Sequence, residues 1–296
     1  MTPREANEVI RAAQAQQQGG KHLGDIVFPR FRNATTKHAD LVNMANANQF
    51  PEKLLPDGMN PDQAWQYACR RATGMEDHLL RQISKTKGEI TWGLVREEKD
   101  EHNNILHYNQ VSRLTLNRDT GNPTYSDPYN PHVRKVDAKF NELVGSVTTD
   151  DVRKMVVDVC KDKSGVPVGT AWFVPAAHAD LMRSMRAVVE QLGESEMWLL
   201  PIYDSEEARD SIGKATRADL QEQINEIKAE IEEFSAEQTR PSTLKRRLAR
   251  FEELRKVAKL YAGMVQMVHT DLEEQIGKME KTVADMLGLK QGSDSE

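Results

Sequence analysis

The stretch Leu220–Phe234, LQEQINEIKAEIEEF, places Leu220, Ile224, Ile227, Ile231 and Phe234 at steps of four, three, four and three. That spacing defines a helical seam that can pack along a second helix. The partner lies in the same chain. Leu244, Leu248, Phe251, Leu254, Ala258, Tyr261, Val265, Val268 and Leu272 carry the same period after a break at 237–243. Thr239, Pro241 and Ser242 in that break suit one helix ending and another starting. Antiparallel limbs must match residues whose numbers add to a constant. Leu220 with Ala258, Ile224 with Leu254, Ile227 with Phe251 and Phe234 with Leu244 all add to 478. Charge agrees with the register, because Asp219, Glu222, Glu226 and Glu230 dominate the first limb while Lys245, Arg246, Arg247 and Arg250 dominate the second. The expectation is an antiparallel coiled-coil hairpin over 204–288. Asp204 with Glu207 forms its capping box, Gly288 is its stop, and the first limb either breaks at Gly213 or runs through it.

The limbs are unequal. Even if the first begins at Ser205 its match runs out near Leu272, yet Ile276, Met279 and Val283 prolong the apolar stripe. Val257, Leu260, Met264 and Met267 make a second stripe turned by about 100° from the first. These seven residues therefore contact either the globular body or another subunit. A second subunit is the favoured choice, since a slender hairpin is hard for a compact body to cover and methionines suit an adaptable contact.

Upstream, the composition is that of an α+β protein. Residues 1–22 read as a mobile polar N-terminal segment, 23–203 as a mixed α/β globular body, and 289–296 as a disordered acidic tail. The Asn-, Asp-, Gly- and Pro-rich loop at 118–131 is a candidate subdivision of the body. A strand is expected at 25–28, helices at 36–48 and 61–73, and a β-hairpin through Ile90, Trp92 and Leu94 and then 105–117. Helices follow at 132–144 and 149–160. In the second β segment, polar Gln110 and Ser112 between Leu106 and Leu116 suggest a bulge or an exposed middle. A strand at 168–174, a helix at 177–192 with Leu181, Met185, Val188 and Leu192 inward, and a strand at 197–203 allow a crossover. It makes the two strands parallel, either adjacent or with an antiparallel strand between them.

Gly165, Gly169, Trp172, Phe173, Val174 and Pro175, then a helix, then Leu199, Leu200, Pro201, Ile202, Tyr203 and Asp204 leading into long helices, resemble uncharacterised phage-encoded proteins. The resemblance implies a phage or mobile-element origin and transfers no catalytic residue.

The 296 residues carry a formal charge of -6 and a pI near 5.8, which argues against a general binder of nucleic acid or anionic membrane. No window approaches the ~20 apolar residues of a membrane span. Cys69 and Cys160 fit neither a metal spacing nor a secreted disulfide framework, so a cytoplasmic location is expected. Cys69, on one face with Trp65 and Ala68, reads as a small buried hydrophobe. His102 and His107 near Glu97, Glu98, Asp100 and Glu101 match no ligand pattern and read as a polar turn. Asp127 and His132 lack a third group for acid–base work. No phosphate loop, dinucleotide fingerprint, nucleophile elbow or zincin helix occurs.

The sequence thus points to a non-enzymatic assembly or docking protein acting through a projecting hairpin. Its partner is itself, as a homo-oligomer, or another protein, with no cofactor and no metal. The alternative is nucleic-acid association through Arg30, Phe31, Arg32, Lys245, Arg246, Arg247 and Arg250, weakened by the acidic limb that faces the basic one. An enzyme of unknown class stands third.

Overall fold

The computed structural model describes residues 20–72, 78–99, 106–232, 240–265 and 270–293, without side-chain detail at 97–99, 106–108, 241 and 288–293. The N-terminal segment 1–19, the polar turn at 100–105 and the break at 233–239 lie outside the described residues. The protein is mixed α+β. It divides into two compact units, one of Met1–Arg30, Val156–Glu190 and Ser195–Glu296, the other of Phe31–Met155 and Gln191–Glu194. The loop at 118–131 does not divide the chain, and the C-terminal helices share a unit with the first strand.

In the first unit, β1 (His22–Arg30), β8 (Val166–Val168), β9 (Ala171–Pro175) and β10 (Glu196–Tyr203) form one sheet in the order β10-β1-β9-β8. Every neighbouring pair is antiparallel. The strands β9 and β10 therefore run the same way with β1 between them, and helix α5 (Ala179–Val189) makes the crossover. Met185, Val188 and Leu192 are buried as expected, joined by Met182 and Val189, whereas Leu181 is only partly buried. The single strand expected at 168–174 is instead a tight hairpin of β8 and β9, turning at Gly169 with φ 63°.

Helices α6 (Glu206–Glu232), α7 (Pro241–Val265) and α8 (Thr270–Ser293) complete this unit. Ser205, rather than Asp204, caps α6, its hydroxyl accepting from Ala208 N–H at 3.1 Å. Glu230 pairs with Arg247 and Glu226 with Arg250, so α6 and α7 run antiparallel. Arg217 pairs with Asp271 and Gln221 with Gln275, so α8 runs parallel to α6. The two-limbed arrangement expected over 204–288 is replaced by a three-helix bundle, since α8 runs back along α7. The physical reason is the overrun. A helix pair buries one seam, whereas a third helix folded back along it buries the overrun too, at about 25 cal/mol for each Å² removed from water. Leu272, Ile276 and Val283 are fully buried with Leu220, Ile224, Ile227, Phe251 and Leu254. Gly288 is not a stop, because α8 continues to Ser293. A separate cluster joins the base of the bundle to the sheet, with Leu23, Val166 and Phe173 against Ile212, Tyr261 and Val265.

In the second unit, β3 (His78–Lys85), β4 (Glu89–Lys99), β5 (Leu106–Asn117) and β6 (Pro123–Tyr125) form an antiparallel meander. Helices α2 (Pro61–Arg71) and α3 (Pro131–Leu143) pack on it through Trp65, Ala68, Val136 and Phe140, against Ile90, Trp92, Leu94, Leu114 and Leu116. The expected bulge lies at Val111, where Leu94 faces Ser112 but Val95 faces Gln110. Ser112 is buried and shares a 3.2 Å hydrogen bond with Ser126. Asn60 caps α2 in a reciprocal box with Gln63. Helix α1 (His38–Ala47) and a short ladder of β2 (Thr35–Lys37) with β7 (Ser146–Thr148) belong to the same unit. Helix α4 (Thr149–Asp162) spans the division.

Candidate functional site

The first unit contains a groove of about 520 Å³, within the usual size range of ligand and peptide sites. One wall is α6, contributing Asp219, Glu222, Gln223 and Glu226. The second is α7, with Arg250, Glu253, Leu254 and Val257, and the third is the end of α4 and the β8–β9 hairpin, with Lys161, Ser164, Pro167 and Trp172. The spacing 219, 222, 223, 226 is one helical face. Four carboxylates thus face two cations.

The cations are engaged. Arg250 donates to Glu226 at 3.3 Å, and the Lys161 ammonium sits 5.9 Å from the Trp172 ring centre, within cation–π reach. Asp219 is half-buried and accepts from Gln223 Nε2 at 2.9 Å. Burial, and then Glu222 and Glu226, push its carboxyl above its ordinary range against the opposing pull of the Gln223 hydrogen bond and Lys161. Such a carboxylate gains from any cation brought beside it. Among the described residues no three His, Cys, Asp or Glu side chains converge as metal ligands. Its floor is anchored where Tyr261 donates to the Ser164 carbonyl.

A family model matches residues 22–292. The chain belongs to DUF6744, a family of unknown function. No curated protein and no solved structure matches it. The match takes in both units, so the groove of this DUF6744 chain lies wholly inside the family region.

The other candidate residues fall as follows. Arg30 is paired with Glu196 at 3.4 Å. Phe31 lies under the Arg153 guanidinium at 5.5 Å. The Arg32 carbonyl accepts from the Thr149 hydroxyl at 2.9 Å. The aromatic-basic run is thus tied to its own neighbours. On the basic limb Arg247 and Arg250 hold Glu230 and Glu226, whereas Lys245 and Arg246 are exposed with no ion pair among the described residues. Of the seven stripe residues, Ile276 and Val283 are fully buried and Met279 and Val257 pack against them. Met264 packs at the sheet, and Leu260 is 41% exposed. Met267 lies outside the described residues. The overrun therefore meets its own chain, and its need for a covering surface is met inside the bundle. Cys69 and Cys160 are both buried and free, and burial pushes the Cys160 thiol up to about 12. That is the inert behaviour expected of Cys69 as well.

The acids of α6 were legible as a charged stripe, though read only as the counterpart of the basic limb. Trp172 and Lys161 carried no such signal. Only the fold brings a β-strand residue and the end of α4 to that stripe.

Proposed function

We propose that this DUF6744 protein is a cytoplasmic docking protein whose acidic groove receives a lysine- or arginine-bearing segment of a partner protein. Helices α6 and α7 act as an antiparallel coiled-coil hairpin that holds one side of that segment. The observation that carries the proposal is the groove itself, which Asp219, Glu222, Glu226 and Glu253 line together with Trp172. Carboxylates beside an indole are the surroundings that lower the free energy of an ammonium or guanidinium group leaving water. Ion pairs on Arg247 and Arg250 lower the phosphate-binding capacity of the basic limb, which supports docking over the nucleic-acid alternative.

The test is titration of the whole protein with a short oligolysine peptide, followed by calorimetry. Binding is expected at low salt, weakening as added salt shortens the ~10 Å screening length of 0.1 M solutions. The Glu222→Gln/Glu253→Gln double variant should bind at least tenfold more weakly. Absence of binding at low salt, or equal binding by the double variant, would overturn the proposal. Retention of single-stranded DNA that is lost in Lys245→Glu/Arg246→Glu would move the function to nucleic acid.

A further inference from the structure

Helix α8 packs on α6 and α7 and makes no other extensive contact among the described residues. Leu272, Ile276 and Val283 fill the channel between those two helices. Arg217–Asp271, Gln221–Gln275 and Arg255–Glu280 rim it.

The sequence across the α7–α8 junction does not mark a reversal. Tyr261, Val265, Val268, Leu272, Ile276, Met279 and Val283 follow one another at steps of four or three, a single unbroken helical stripe. The connecting residues Gln266, Met267, Val268 and His269 include neither glycine nor proline, the residues that normally punctuate a helix end. The same residues therefore satisfy two arrangements. In one, α8 folds back. In the other, α7 and α8 form one continuous helix from Pro241 to Ser293, about 80 Å long at 1.5 Å per residue.

A straightened chain leaves its own channel empty and its α8 face bare. A second straightened copy supplies both wants, because a channel that accepts α8 of its own chain accepts the identical helix from another with the same buried residues and the same ion pairs. Short hinges between complementary elements are the recognised setting for such exchange. Since the contacts between α8 and the channel are the same in both forms, the balance is set by the entropy of association on one side and the continuity of one long helix on the other. Protein concentration therefore decides it.

We propose that α8 is an exchangeable arm and that the protein forms a two-fold dimer in which each α8 occupies the α6–α7 channel of a second copy of this chain. This goes beyond the acidic groove and is independent of it. Gln221 and Gln275 place the test, since their side chains are 3.1 Å apart between α6 and α8 and the native cysteines are buried.

Chains carrying Gln221→Cys alone and Gln275→Cys alone are unfolded together, refolded at high concentration and oxidised. Neither chain can close this bond within itself. A covalent heterodimer of twice the 33.5 kDa chain mass, with the bond between positions 221 and 275 in a peptide map, is the expected result. The Gln221→Cys/Gln275→Cys double variant, refolded dilute, should close within one chain and reports that the two positions are neighbours. Closure of the double variant within one chain, with the mixed single variants never joined 221 to 275 at any concentration, overturns the exchange. Failure of the double variant to close at all removes α8 from α6 and overturns it equally.

Discussion

Tyr261 on α7 donates its hydroxyl to the backbone carbonyl of Ser164 at 2.8 Å, and Ser164 sits in a left-handed backbone with φ 56°. The bond fixes the turn that leads into β8 while the Tyr261 ring packs edge-on against Phe173 at 6.1 Å. Tyr261→Phe keeps the ring and removes the donor, leaving a carbonyl without its partner, at an expected cost of about 1–2 kcal/mol in urea denaturation. Burial, with Asp219 nearby, holds the phenol pKa far above 10.0. The neutral phenol's contribution is therefore intact below pH 10.0 and is lost as pH rises beyond it, because the folded state then keeps a proton that the unfolded chain releases. The variant should show a shallower alkaline fall in stability than the parent.

Gly24 leaves no room for a side chain against β9, where a Cβ would meet the Val174 carbonyl oxygen and the Phe173 ring. A methyl group placed there would lie 2.6 Å from the Phe173 ring, and the clash involves strand backbone as well as side chain. Gly24→Ala should destabilise by about 1–3 kcal/mol or more, as overpacking does. Its melting curve should shift down, whereas Gly88→Ala, with open space around it, should leave melting nearly unchanged.

Arg118 is a clamp in the second unit. Its Nε donates to Asp62 at 2.7 Å in the first turn of α2, and its Nη1 donates to the Thr86 carbonyl at 2.7 Å. A lysine keeps the charge but cannot span both partners with a planar fork. Arg118→Lys is expected to cost about 1–3 kcal/mol, and a double-mutant cycle with Asp62→Asn should show coupling. Purely additive effects would mean that the clamp does not bind the two elements together.

Asp219 has a raised pKa, so its ionised form is disfavoured in the folded state. Its contribution is present below its ordinary value of 3.8 and lost as pH rises through the folded value. Asp219→Asn keeps an acceptor for Gln223 and should therefore raise the melting temperature at pH 7, with the gain vanishing as pH approaches 3.8. A lower melting temperature at pH 7 would show that the carboxylate is held by an attraction stronger than its burial.

Much of the local structure was legible. Asn60 with Pro61 and the Ile90, Trp92, Leu94 alternation describe their own neighbourhoods, because caps and periodicity act over a few residues. The α6 seam was equally plain, and its ion pairs to α7 join the acidic helix to the basic one in the antiparallel sense. The groove was half legible, as a stripe of acids on α6 with nothing to say what faced it.

What the sequence determined alone is most of the helices, the longer strands and the apolar face of each, since backbone sterics and side-chain spacing decide these within a turn or two, whereas β2, β6, β7 and β8 are too short to carry such a pattern. The tertiary structure decided which faces meet. It set β1 between β9 and β10, and it joined the first strand to the last three helices in one unit. It also folded α8 back into the α6–α7 channel although no glycine or proline called for a turn. Those choices depend on contacts between residues far apart in the chain, where burying Leu272, Ile276 and Val283 outweighs the helical continuity that local pattern favours.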